Sequence, residues 1–273
     1  MRAEVNGKYV TIEPGVEIFY VDVGKGDAIV MIPGLSFNTE VFQAQIEYFS
    51  KTNRVIAFDP RGQGRSSKVL FGNDYTTHGK DLAKILEILN LNKVTLLGWS
   101  TGNLTVWSYA KEFGIEKIKS AILIDMSPKP ISDNDKDWVE CSFDDLCSIS
   151  TQVLTTQEGQ RNFFADYATQ VMVQRKLSEE DLFFIVDISS RTPCHITNSL
   201  FASAVMGDFR EGCKKLNDNV PTLIFIAEHW AEIAEPFMKR NYQKIQTVVM
   251  GGHLMFWEYP EKFNAELKQF LGW

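Results

Sequence analysis

Two hydrophobic periods alternate along the chain. Tyr9–Ile12 and Val16–Val23 are β-branched and aromatic runs joined at Glu13-Pro14-Gly15, which predicts a hairpin. Short apolar runs follow. Ala28–Ile32 stops at Pro33-Gly34, Val55–Phe58 at Asp59-Pro60, Val94–Leu97 at Gly98 and Ala121–Ile124 at Asp125. Thr222–Ala227 starts after Pro221, and Thr247–Met250 stops at Gly251-Gly252. These later runs lack in–out alternation, as expected of parallel strands covered on both faces. Helical spacing lies between them: Phe42, Ile46 and Phe49; Leu82, Ile85, Leu86 and Leu89; Leu104, Trp107 and Ala110. Alternating strands and helices predict an α/β protein with a mostly parallel sheet.

One connection is oversized. The segment 126–219 is about three times the ~30 residues of a plain βαβ crossover. It contains the helix-start signals Ser142-x-x-Asp145, Thr155-x-x-Glu158 and Ser178-x-x-Asp181, each ahead of apolar residues. A mainly helical insertion at 130–216 is expected after the sixth strand, lying as a lid over the strand ends of a core formed by 1–129 and 217–273.

The 273 residues are 44% hydrophobic and 23% charged, which suits one globular domain with a sizeable insertion and argues against wholesale disorder. A net charge of −7 without basic runs argues against general affinity for nucleic acid or acidic membrane. The expected partner is a small-molecule substrate, bound by a monomer or homodimer. Cys141, Cys147, Cys194 and Cys213 show neither C-x-x-C spacing nor a disulfide framework, so reduced thiols and a cytoplasmic location are expected. Met1–Lys8 lacks the apolar core of a signal peptide.

Gly98-Trp99-Ser100-Thr101-Gly102 fits G-x-S-x-G between a predicted strand and a predicted helix, the context of a nucleophile elbow. The tight turn would expose the Ser100 hydroxyl at a helix N-terminus. Acyl transfer also needs two N–H donors for the oxyanion. Thr101 N–H follows the nucleophile, and the loop after Gly34 offers Leu35 N–H. A serine needs a base. His253, on the loop after the last strand, is the expected base, with His229 as the alternative. His78 reads as a solvated surface residue and His195 as part of the insertion.

These segments resemble the α/β-hydrolase superfamily. The resemblance covers the chain outside the insertion and includes Asp59-Pro60-Arg61-Gly62-Gln63-Gly64-Arg65-Ser66, which it implies is a structural corner. It usually places the triad acid after the strand opening at Pro221, but Trp230 stands at that position. Asp125 is the expected acid instead, with Glu228 and Glu232 as alternatives. Certain haloalkane dehalogenases and the N-formylmaleamate deformylase are similar in carrying the acid after the sixth strand.

The expected activity is hydrolysis of a small apolar ester, lactone, thioester or amide through an acyl-enzyme, with no metal or organic cofactor implied. The expected pocket residues are Trp99, Phe37, Met126, Trp230 and Leu254. Two other readings remain open. One is C–C bond hydrolysis or cofactor-free perhydrolysis by the same triad. The other is a non-catalytic small-molecule receptor.

Overall fold

The computed structural model describes residues 7–273. Part of the leader expectation, residues 1–6, lies outside the described residues. Eight strands form one sheet: β1 (Lys8–Glu13), β2 (Val16–Val23), β3 (Ala28–Ile32), β4 (Arg54–Phe58), β5 (Val94–Trp99), β6 (Ile118–Ile124), β7 (Thr222–Ile226) and β8 (Gln246–Val249). Their order is β1-β2-β4-β3-β5-β6-β7-β8. The β1–β2 hairpin and the β2–β4 pair are antiparallel, and β4 through β8 run parallel. Gly15 closes the hairpin at φ +80°, a conformation that favours glycine.

Both faces of the sheet are buried. Along β3, Val30 and Ile32 face one core while Ile29 and Met31 face the other. The first core contains α2 (Tyr75–Ile88), α3 (Gly102–Phe113) and α9 (Ala231–Asn241); the second contains α1 (Gln43–Phe49) and α11 (Pro260–Leu271). This double cover is why the central strands read as unbroken apolar runs.

Between β6 and β7 lie α4 (Phe143–Ser148), α5 (Gln157–Tyr167), α6 (Glu179–Ser190), α7 (Cys194–Met206) and α8 (Arg210–Asn219). Ser142 and Asp145 form a reciprocal capping box on α4, and Ser178 caps α6. The cap of α5 falls one residue later than expected, on Thr156, whose side chain accepts Gly159 N–H. The expected boundary at 216 falls inside α8. That helix packs closely on α3: a Cβ on Gly212 would lie 2.0 Å from Trp107 O.

His78 corrects the sequence reading, being only 2% exposed. The Asp74 side chain caps α2 by accepting Thr77 N–H, so the helix begins about two turns before its obvious apolar stripe. His78 then shares a buried face with Tyr75, Leu82 and Ile85, its ring 5.4 Å from that of Tyr75.

The Asp59–Ser66 corner is a buried polar knot. Asp59 accepts Thr39 N–H and Arg65 N–H at 2.7 Å each. Arg61 donates two hydrogen bonds to Asp81, at 2.7 and 2.8 Å, and pairs with Glu13 at 2.6 Å. Removing Asp81 leaves the buried Arg61 charge with only the exposed Glu13 as its partner, at a cost of about 3 kcal/mol. Asp81→Ala should therefore lower the urea midpoint with little change in the slope, and adding Arg61→Met should restore much of the loss. Equal midpoints for wild type and Asp81→Ala would refute this account.

Candidate active site

Ser100 occupies the turn from β5 to α3 at φ +52°. This left-handed conformation is uncommon for a residue with a side chain. The two flanking glycines are sterically required. A Cβ at Gly98 would lie 2.6 Å from Asn103 Oδ1, and one at Gly102 only 2.3 Å from Ile32 O. Ser100 N–H donates to Ile124 O at 2.7 Å, so the turn is fastened to the neighbouring strand.

Asp125 follows β6 directly, at φ +47° and 1% exposed. Its N–H donates to Phe225 O at 2.8 Å. Its Oδ1 accepts Ala227 N–H at 2.8 Å, and its Oδ2 lies 2.7 Å from His253 Nδ1. The alternative acids lie elsewhere. Glu228 accepts Gly251 N–H and a Gln174 side-chain N–H, and Glu232 is exposed on α9.

His253 is 3% exposed. Gly251, at φ +59°, turns the chain after β8. His253 N–H then donates to Val171 O at 3.1 Å, and its carbonyl accepts Trp99 Nε1–H at 2.8 Å. Carboxylate contact at Nδ1 leaves Nε2 as the nitrogen able to accept a proton. The other histidines lie apart from this pair: His195 is exposed on α7, and His229 packs on Trp230 in the turn after β7.

The Gly34–Phe37 loop crosses close to Ser100: a Cβ on Gly34 would lie 2.9 Å from Ser100 Cβ. Gln63 holds this loop by donating to Gly34 O and Phe37 O and accepting Ser36 N–H. Thr192 and Thr197, beyond β6, hold Ser36 from the other side. Among the described residues, neither Leu35 N–H nor Thr101 N–H has an acceptor within the protein.

Ser100 and His253 line one cavity of about 280 Å³. That is near the lower end of the ~300–1,000 Å³ usual for ligand pockets, so it suits a small molecule. Leu35, Phe37, Trp99, Thr101 and Met126 also line it. Trp230 and Leu254 do not, which corrects the sequence reading. Leu254 is fully buried in the core, its N–H bonded to Met172 O, and Trp230 packs against Trp138, ring centres 6.5 Å apart. Sequence reasoning missed the contributions of Phe163, Phe164, Tyr167, Met172, Phe201 and Glu140. Phe163 and Tyr167, four residues apart on α5, carried a readable signal.

The Glu140 carboxyl lies beside the Asp125 charge. Burial, with Asp125 adding to it, pushes Glu140 up to about 8, against the pull of the Ser127 N–H that donates to it. Burial likewise raises the Tyr167 hydroxyl well above its ordinary range.

A serine on the turn after a parallel strand, sharing a cavity with a carboxylate-held imidazole from a late loop, is an arrangement similar to that of α/β hydrolases. Residues 27–145 match the alpha/beta hydrolase fold family. The chain is similar to a Synechocystis sp. protein described as a non-heme chloroperoxidase, with 27% identity across 96% of this chain and 99% of that protein. It is 36% identical to the bifunctional esterase/perhydrolase DCH of Acinetobacter calcoaceticus, over 44% of this chain and 45% of that one. The crystal structure of a bromoperoxidase from Bacillus anthracis superposes with a TM-score of 0.87 at 24% identity, covering 98% of this chain and all of that one. By its fold and by the match over residues 27–145, the chain is similar to the α/β-hydrolase superfamily.

Folding with a raised pKa makes Glu140 favour the folded state fully below its ordinary 4.5, an advantage lost as pH rises through about 8. The Tm of Glu140→Gln relative to wild type should therefore climb between about pH 5 and pH 9 in thermal melts. A gap independent of pH would contradict the assignment.

Proposed function

We propose that the protein is a serine hydrolase that cleaves a small, largely apolar ester or related acyl compound. The supporting observation is the buried 2.7 Å contact between Asp125 Oδ2 and His253 Nδ1 beside a serine on a left-handed turn. In this reading Ser100 Oγ attacks the carbonyl carbon as His253 Nε2 takes its proton. Asp125 holds the imidazole tautomer and stabilises the imidazolium. Leu35 N–H and Thr101 N–H bind the oxyanion, each contributing about 3 kcal/mol to the transition state. His253 then protonates the leaving group. Water, deprotonated by His253, attacks the acyl-enzyme and releases the acid with Ser100 restored. The helices α4–α7 act as the lid that shapes the acyl site.

The relatives named as chloroperoxidase and perhydrolase favour a second outcome for the same acyl-enzyme. Hydrogen peroxide replaces water as the attacking molecule, and a peracid leaves in place of the acid. Peracetic acid formation from acetate and peroxide that disappears in Ser100→Ala would support it. Its absence would restrict the protein to hydrolysis.

A fluorophosphonate should label wild type at neutral pH and fail to label Ser100→Ala. Asp125→Asn should lower kcat on 4-nitrophenyl acetate by about 10⁴-fold, because it favours the wrong imidazole tautomer, whereas Glu232→Gln should change it little. Near-normal turnover in Asp125→Asn would overturn the triad, and absence of labelling in wild type would favour a receptor.

A further inference from the structure

The proposed chemistry leaves one carboxyl in the cavity without a role. Glu140 lies in the irregular segment between β6 and α4, where its N–H donates to Pro130 O at 2.9 Å. Its Oε1 accepts Ser127 N–H, while its Oε2 has no hydrogen bond among the described residues. It lines the same cavity as Ser100 and His253, and no Lys or Arg lines that cavity. The titratable groups around it are Asp125, His253, Tyr167, Cys141 and Asp145. None supplies a permanent positive charge. A carboxylate partly enclosed among mainly apolar groups is disfavoured unless a counter-charge arrives.

The walls suit such a counter-charge. The Phe163 ring stacks on Tyr167, centroids 5.9 Å apart, and meets Phe201 edge-on at 6.4 Å. Tyr167 in turn lies 5.6 Å from the His253 ring. Aromatic faces attract cations, more strongly when water is excluded. An anionic ligand would meet Glu140 and Asp145 together.

We propose that the cavity takes an acyl compound bearing an ammonium group, held by the Glu140 carboxylate and the rings of Tyr167, Phe163 and Phe201. The acyl half rests on the hydrolase reading; the cation site does not require Ser100 to react. Before binding, the carboxyl raised to about 8 keeps its proton at neutral pH. The arriving cation favours the ionised form, and the proton passes to solvent. For a quaternary ammonium, which cannot titrate, affinity then rises by up to about tenfold per pH unit until the pH passes that of the free carboxyl.

Choline and its uncharged isostere 3,3-dimethylbutan-1-ol separate charge from shape. Calorimetric titration at about pH 6, 7.5 and 9 should show choline binding at least about tenfold tighter at the highest pH. That preference should shrink toward pH 6 and vanish in Glu140→Gln. His253 remains in the variant, so its own titration does not produce the difference. Equal binding of the two compounds to wild type would overturn the proposal without recourse to any variant, as would a pH-dependent preference that survives Glu140→Gln. Hydrolysis of acetylcholine and of 3,3-dimethylbutyl acetate should rank in the same order. If neither is cleaved and a fluorophosphonate leaves Ser100 unlabelled, the hydrolase reading falls, while calorimetry still decides the cation site.

Discussion

Neighbouring strands β5 and β6 each run one residue past their regular ladder into a left-handed residue, Ser100 on one and Asp125 on the other. The ladder does not stop where the strand conformation does. Ser100 N–H still donates to β6 at Ile124 O, and Asp125 N–H still donates to β7 at Phe225 O. A non-glycine residue held in this region costs of order 1–3 kcal/mol and persists only where its surroundings over-determine it. Here the surroundings are three parallel strands in register, buried on both faces. Local strain is thereby converted into a fixed separation between a hydroxyl and a carboxylate. The alternatives that would relieve it are closed, because the elbow allows no Cβ at Gly98 or Gly102.

The imidazole has no strand of its own to fix it, and other contacts take over. Trp99, one residue before Ser100, donates its indole N–H to the His253 carbonyl. The stretch after α5 accepts the N–H groups of His253 and Leu254 through Val171 O and Met172 O. A Cβ on Gly252 would lie 2.6 Å from Met172 O, so the approach depends on glycine. The helical segment that lends Phe163, Tyr167 and Met172 to the cavity therefore also carries part of the His253 loop, while Thr192 and Thr197 bear on the Leu35 loop. Changes in this segment and in the geometry of the proposed chemistry are not independent.

The parts readable from the chain are those that rest on short-range rules. Strand runs, the glycine-framed serine and the acid at the end of β6 all declare themselves within a few residues. His78 was misjudged because an aspartate cap at Asp74 extends α2 backward and turns a polar-looking stretch into a buried face. Leu254 and Trp230 adjoin functional residues in sequence, yet a strand-to-helix loop can turn such neighbours into the core. Glu140 was invisible for the opposite reason. It sits in irregular backbone with no periodicity, and its environment comes from residues 13 and 15 positions earlier together with a helix later in the chain.

The departure at Trp230 has a structural counterpart. Where the resemblance would put an acid after β7, this chain offers a backbone donor: Ala227 N–H reaches across to Asp125 Oδ1. Here β6 supplies the carboxylate and β7 the hydrogen bond that orients it. Both Asp125 oxygens are occupied, one by an amide and one by the imidazole. Glu140, 15 residues further along the chain, has one amide donor and an unoccupied oxygen. The hydrogen-bond count separates the two: Asp125 has both oxygens occupied, whereas Glu140 keeps an open acceptor and, raised by burial, holds its proton until something positive enters the cavity.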